Sequence, residues 1–249
     1  MGNKRIALVT GGNGGIGEAI CKALADKGCT VVAGYYPGDK ENAEKWQTEM
    51  KGSGYDVELA AADVADFEQT QLMIANVEEG VGPIDILVNC AGITRDSSLK
   101  KMDVSDWNAV IDTNLNSAFN VTKPVITGMM GRGFGRIINI SSVNGQRGQF
   151  GQPNYSAAKA GLHGFTMAAA REGARKGVTV NTVSPGYVAT AMTSAMPEAV
   201  LESIVNEVPM GRMAQPEEIA QAVAWLADDN SAYVTGANIP VNGGLFMSF

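Results

Sequence analysis

The sequence has 249 residues, 45% of them hydrophobic and 18% charged, which suffices for one large α/β domain and is too apolar for a chain that stays disordered. Lys and Arg total 19 against 26 Asp and Glu, a net charge of −7, so the chain repels a phosphate backbone or an anionic membrane surface and no nucleic acid is expected as a partner. No apolar run approaches the roughly 18 residues of a membrane span, and Cys21, Cys29 and Cys90 have neither a CxxC pair nor a histidine cluster beside them, which reads as a cytoplasmic protein with reduced thiols and no metal.

Arg5–Thr10 (RIALVT) is an apolar, β-branched run closed by glycine, and Ile16, Ile20, Ala23 and Leu24 follow at helical spacing within 16–27, predicting a strand, a tight turn and a helix. The pattern repeats with strand TVVAGY and a helix over 40–50, strand VELAA and a helix over 67–79, strand IDILVN and a helix through 107–130. RIINIS, a helix over 154–176, VTVNTV, a helix over 217–226 and ANIPV complete the series. Such unbroken alternation predicts right-handed βαβ crossovers. It gives one α/β domain over 1–249, a doubly wound parallel sheet of about seven strands with helices on both faces. Residues 186–212, rich in Met, Ala and Pro, are long for a simple connection and are expected to form a substrate lid.

The 30 glycines cluster rather than repeat, which points to specific backbone sites. Thr10-Gly11-Gly12-Asn13-Gly14-Gly15-Ile16-Gly17 lies between the first strand and first helix. There glycine lets the backbone approach a pyrophosphate, and the helix N-terminus offers unpaired N–H groups and a positive dipole end. Tyr155 and Lys159 are four apart in a helical stretch, so their Cβ atoms lie roughly 5–6 Å apart on one face. A cation beside a phenol favours phenolate, so the Tyr155 pKa is expected to fall. Ser142, just beyond the fifth strand, offers a hydroxyl for a substrate carbonyl at the strand edge where ligands of open α/β sheets bind. Taken singly, each of these residues also has an ordinary reading as a packing, capping or solvated side chain.

Together they resemble the short-chain dehydrogenase/reductase family. The glycine spacing Gly11, Gly15, Gly17, the segment Asn89-Cys90-Ala91-Gly92, Asn114 in TNLNSAFN, Ser142 in NISSVNG, YSAAK at 155–159, VSPGYVAT at 183–190 and VNGG at 241–244 match that family's motifs in order across nearly the whole chain, with Cys90 and Ala191 as departures. The resemblance implies a Rossmann-type fold, an NAD(P)H-dependent reductase, and a catalytic set of Asn114, Ser142, Tyr155 and Lys159. In it Tyr155 protonates a carbonyl oxygen, Ser142 fixes that oxygen, Lys159 holds the nicotinamide ribose and lowers the Tyr155 pKa, and Asn114 supports a proton relay. It further implies cofactor contacts at Gly11, Asn13, Gly15, Ile16, Gly17 and Tyr35, at Asp63 and Val64, at Asn89, Cys90, Ala91 and Gly92, at Tyr155 and Lys159, and at Pro185, Gly186, Val188 and Thr190. His163 and the Met129-Met130 pair read as packing residues.

Within the family, the Gln-rich stretch 142–155, AGLHGFTM after it and GITRD at 92–96 resemble the members that reduce acetoacetyl-CoA in polyhydroxyalkanoate synthesis. That likeness implies an acyl-CoA thioester substrate, with Asp96, Gln149, Phe150, Gln152 and Tyr187 lining the acyl and pantetheine channel beside Ser142, and a homotetramer. Alternatives are reduction of an acyl-carrier-protein thioester, for which Arg132, Arg136, Arg147, Arg171, Arg175 and Lys176 are the candidate basic contacts, and a non-catalytic nucleotide-sensing role. For the cofactor, the loop after the second strand offers only Lys40, flanked by Asp39 and Glu41. Carboxylates there repel a 2′-phosphate, so NAD(H) is favoured and NADP(H) is the alternative.

Overall fold

A computed structural model describes residues 4–190, 193 and 198–247. Seven strands form one parallel sheet: β1 Ile6–Thr10, β2 Thr30–Tyr35, β3 Val57–Ala61, β4 Ile86–Asn89, β5 Gly135–Ile140, β6 Val178–Pro185 and β7 Asn238–Val241. Their order is β3-β2-β1-β4-β5-β6-β7. β1 pairs with both β2 and β4, so the winding reverses beside β1 and opens a crevice at the carboxyl ends of β1 and β4.

The helices are α1 Gly15–Asp26, α2 Lys40–Gly52, α3 Phe67–Gly80, α4 Val104–Ile111, α5 Ser117–Arg132, α6 Asn144–Arg147, α7 Pro153–Gly173, α8 Glu198–Glu207 and α9 Pro216–Ala227. In β1, Ala7 and Val9 pack with α1, α2 and α9 residues such as Ile20, Trp46 and Ile219. Ile6 and Leu8 pack with α3, α5 and α7 residues such as Met73, Val125 and Ala169. Both faces are covered, which is why RIALVT reads as a continuous apolar run and not an alternating one.

Two sequence expectations change. The helix through 107–130 is interrupted by a π-helical turn at Asp112–Asn116 between α4 and α5, where the extra residue per turn leaves Asn114 buried at 2% exposure. The stretch 186–212 is not wholly irregular: it contains α8 and a bridge between Val188 and Ala214. Ala191, the departure from the family pattern, lies outside the described residues. No helix among the described residues is long and apolar enough to cross a membrane.

Candidate active site

Apart from Tyr155 and Lys159 on α7, the candidate cofactor positions lie at the carboxyl ends of β1, β2, β3, β4 and β6, on the loops there or on the adjoining strand and helix ends. The glycine turn after β1 is shaped by close approach: a Cβ on Gly17 would collide with the Gly11 carbonyl oxygen, and Gly11 itself sits at φ 63°. α1 starts at Gly15, and its N-cap residue, Gly14, has no side chain to cap the first-turn N–H groups, which leaves donors and the positive dipole end for an anion. Thr10 Oγ1 accepts the main-chain N–H of Cys90 (3.0 Å) and Ala91 (3.1 Å), tying this turn to the loop after β4. Across the turn stands Thr190, whose methyl is 3.1 Å from where a Cβ on Gly15 would be. Asn13 Nδ2 donates to Asp39 Oδ2 at 2.9 Å, so the loop after β2, beyond Tyr35, closes against the turn. Asp63 and Val64 follow β3; the Asp63 carboxylate accepts from Ala65 N and the Val64 carbonyl from Asn120.

The chemistry-bearing side chains meet where α7 crosses the ends of β4 and β5. Ser142 follows β5 and is buried; its Oγ accepts the Asn144 main-chain N–H at 3.1 Å. With that lone pair engaged, the Ser142 proton is free to be donated. Tyr155 is the neighbouring phenol whose pKa that hydroxyl lowers. Lys159, 4% exposed, donates from Nζ to the Ile140 carbonyl at 2.7 Å, and the Lys159 carbonyl accepts from Ser141 Oγ at 2.7 Å. Ser141 thus anchors the helix, while Ser142 faces Tyr155. The Asn114 amide clasps Ile93, donating to its carbonyl and accepting its N–H, both at 2.8 Å. A Cβ on Gly92 would stand 3.2 Å from Asn114 Oδ1 and 3.5 Å from Lys159 Nζ, so these two groups converge on Gly92.

The expected fall of the Tyr155 pKa is reversed. Burial raises it, the Ser142 hydrogen bond pulls it down less strongly, and neighbouring acidic groups push it further up. Lys159 sits 5.6 Å from the Tyr155 ring centre but spends its proton on Ile140. Its own pKa is pushed down to about 8 by burial, with the Cys90 thiol opposing. Desolvation beats the pairwise attraction that spacing alone suggests.

The Enoyl-(Acyl carrier protein) reductase model matches residues 11–246, from the glycine turn to beyond β7. The chain belongs to the short-chain dehydrogenase/reductase family. It is therefore an oxidoreductase with a nicotinamide cofactor. Among curated relatives of this dehydrogenase/reductase are an acetoacetyl-CoA reductase of Allochromatium vinosum, 65% identical over 98% of this chain and 99% of the relative, and one of Cupriavidus necator, 57% identical over the same shares. A 3-oxoacyl-[acyl-carrier-protein] reductase of Pseudomonas aeruginosa is 45% identical over 98% of each chain.

Of the residues expected at the reductase's substrate channel, two are joined: Gln152 Nε2 donates to Asp96 Oδ2 at 2.8 Å. Gln149 is exposed and accepts from Arg147 at 3.4 Å, and Phe150 is 91% exposed. Tyr187 lines a cavity of about 70 Å³ with Met210, Arg212 and Asn242. His163 contacts Ser184 Oγ and its pKa is lowered by burial, as a packing residue's would be. The basic candidates form no single patch. Arg136 is buried at 3% exposure, Arg132 reaches Ile84 O and Asp85, and Arg147 is paired with Glu207. Arg171, Arg175 and Lys176 lie at the far end of α7 from Tyr155, about 25–30 Å along a helix of this length.

Three functional asparagines escaped sequence reasoning. Fully buried Asn154 fixes the α7 start by donating to Arg95 O and Asp106 O while accepting the Tyr155 N–H. Asn139 and Asn144 carry the hydrogen bonds described below. For Asn139 a signal was present: an amide inside the apolar strand run RIINI needs a buried partner.

Proposed function

We propose that this reductase converts the 3-keto group of acetoacetyl-CoA to the hydroxyl of 3-hydroxybutyryl-CoA. The observation that carries the reading is the convergence of Ser142, Tyr155, Lys159 and Asn114 at the carboxyl edge of β4 and β5, in a chain whose relatives at 65% and 57% identity bear the name of that activity. The turn Gly11, Asn13, Gly15, Ile16 and Gly17 fits a pyrophosphate. Tyr35, Asp63 and Val64 fit the adenosine end, Asn89 to Gly92 with Lys159 the ribose, and Pro185, Gly186, Val188 and Thr190 the nicotinamide. When bound, the reduced nicotinamide supplies a hydride equivalent to the carbonyl carbon.

The protein's part is orientation and proton delivery. Ser142 donates to the carbonyl oxygen and holds it beside Tyr155. Burial keeps the phenol protonated at neutral pH, the state from which Tyr155 gives its proton to that oxygen as the hydroxyl forms. Lys159, with Asn114 beside it across Gly92, is placed to return a proton to Tyr155. Residues 186–212 serve as the lid, with Tyr187, Gln149 and Phe150 toward the thioester arm. Half-exposed Phe119, stacked on Phe67, and the exposed Trp107 and Met167 suit helix packing between subunits of a homotetramer.

NADH is the reading we favour for the cofactor. Asp39 is held against the glycine turn by Asn13 and Asn42, and Lys40 is drawn to Glu44 at 3.6 Å. A carboxylate in that position accepts from a 2′-hydroxyl and repels a 2′-phosphate. Steady-state kinetics with acetoacetyl-CoA and acetoacetyl-carrier protein, each with NADH and NADPH, test all of this. Higher kcat/KM with the CoA thioester and NADH is expected. Preference for the carrier protein replaces the substrate, and more than tenfold preference for NADPH, about 1.4 kcal/mol, overturns the cofactor reading.

A further inference from the structure

Five buried side-chain polar atoms among the described residues have no hydrogen-bond partner: Asn89 Oδ1, Asn144 Oδ1, Gln146 Oε1, Arg147 Nε and Ser156 Oγ. Four of them lie between residues 144 and 156, on the segment joining Ser142 to Tyr155. Leaving such an atom unpaired costs free energy that an apolar side chain would avoid, so the concentration calls for a cause.

The arrangement around Asn144 supplies one. Asn144 Nδ2 donates to Gln152 Oε1 at 2.9 Å, and Gln152 Nε2 donates to Asp96 Oδ2 at 2.8 Å. A carboxylate accepts and never donates when ionised, so Asp96 dictates that Gln152 turns its NH2 outward and its oxygen toward Asn144. That in turn makes Asn144 present its NH2, leaving its own oxygen buried and unpartnered. The orphan is the consequence of a chain with enforced polarity. Asn144 is two residues after Ser142, whose Oγ accepts its N–H, and Gln152 is three before Tyr155, immediately ahead of α7. The amide pair therefore braces the neck of the loop that separates the two hydroxyls. Ser97 N donating to Gly151 O at 2.8 Å ties the same loop to the segment carrying Asp96.

We propose that Asp96, Gln152 and Asn144 form a positioning relay that sets the distance between Ser142 and Tyr155 and keeps the Ser142 proton directed outward. In this role Gln152 acts through Asn144 and not by gripping the thioester arm. The inference rests on the ketoreductase reading of the site, and its test separates the two. Asn144→Ala, Gln152→Ala and Asp96→Ala are assayed with acetoacetyl-CoA and with ethyl acetoacetate, which has the keto group without the pantetheine arm. A misplaced hydroxyl affects both substrates, so each variant is expected to lose about tenfold or more in kcat on both, since a displacement near 1 Å costs up to about 100-fold. Asn144→Ala combined with Gln152→Ala should lose no more than the worse single variant, because both break one chain. Gln152→Glu alone sets two carboxylates against each other, and combining it with Asp96→Asn moves the carboxylate one step along, offers an acceptor to both neighbouring amides, and should recover most of the kcat lost in Gln152→Glu.

A raised KM for acetoacetyl-CoA with unchanged kcat, and no effect on the ester, would overturn the relay in favour of a substrate contact. Additive losses or failure of the paired exchange, in variants that melt as the parent does, overturn it too. If the parent enzyme reduces the ester and not the thioester, the substrate reading falls and the relay is still read on the ester. Should it reduce neither, exchange of the Gln152 and Asn144 side-chain amide protons by NMR decides: slow in the parent and fast in Asp96→Ala supports the relay, fast in both refutes it.

Discussion

The two faces of the sheet are built differently. Against α1, α2 and α9 the helix contacts are mainly apolar, with Ile20, Leu24, Val88, Ile219, Val223 and Leu226 in one cluster. The buried polar side chains of that face, Arg136 and Asn181, donate to main-chain carbonyls of Asp228 and Val234 and form no side-chain network. Against α5 and α7 the apolar cluster of Leu8, Val121, Val125, Met129 and Ile137 is bordered by a buried polar strip. Asn89 Nδ2 donates to Thr122 and to Asn139, Asn139 donates to Thr166, and Thr166 meets Thr182, at 3.2, 2.8, 2.8 and 2.8 Å. Apolar contacts hold a helix against a sheet and tolerate small shifts. Directional bonds fix its position along and around its axis. The helix pinned in this way is α7, which carries Tyr155 and Lys159.

Tyr155→Phe should have the largest effect on function, a loss of about 10²–10⁴-fold in kcat with cofactor binding retained, read by steady-state assay and fluorescence titration. It removes the transferable proton and keeps the ring. On the apolar face, Leu24→Ala should cost about 2–5 kcal/mol of stability by denaturant titration while kcat per folded molecule holds, because the cavity opens away from the site. Between these lies Lys159. Its pKa is lowered in the folded chain, so below about 8 folding carries the cost of a buried ammonium, and that cost fades as pH rises through about 8 toward the unfolded value of 10.5. The stability of the parent relative to Lys159→Met should therefore rise with pH over that window, by about 3 kcal/mol in all. Asn139→Leu should cost about 1–3 kcal/mol by stranding Asn89 and Thr166, and unlike Leu24→Ala it should also lower kcat. Equal kcat in the two variants would erase the distinction between the faces.

Much of this was legible from residue order alone. The period of apolar residues placed strands at 30–35 and 57–61 with the observed bounds, because strands covered on both sides leave continuous apolar runs ended by turn residues. The glycine turn and the Ser142, Tyr155, Lys159 spacing pointed to the loops after β1 and β5 and to the first turns of α7, where Ser142 and Tyr155 lie near element boundaries at which local rules are strong. What pattern could not reach was non-local. The π turn around Asn114 depends on that amide meeting Ile93 across 21 residues, and the rise of the Tyr155 pKa depends on how deeply α7 buries it. The Asp96–Gln152 link spans 56 residues, beyond any window of periodicity, and the Asn144–Gln152 link spans 8 across a loop that has none. The segment 186–212 hid its helix because its composition, rich in Met, Ala and Pro, is mixed.

The most direct test of the site's chemistry follows the transferred hydrogen. With acetoacetyl-CoA and a reduced nicotinamide cofactor carrying deuterium at both C4 positions, mass spectrometry of the product should find one deuterium, located at C3, formed by the parent enzyme and slowed about 10²–10⁴-fold in Tyr155→Phe. Deuterium absent from C3, or a Tyr155→Phe enzyme turning over at the parent rate, would contradict the assignment of Tyr155 as proton donor to a keto group reduced at that carbon.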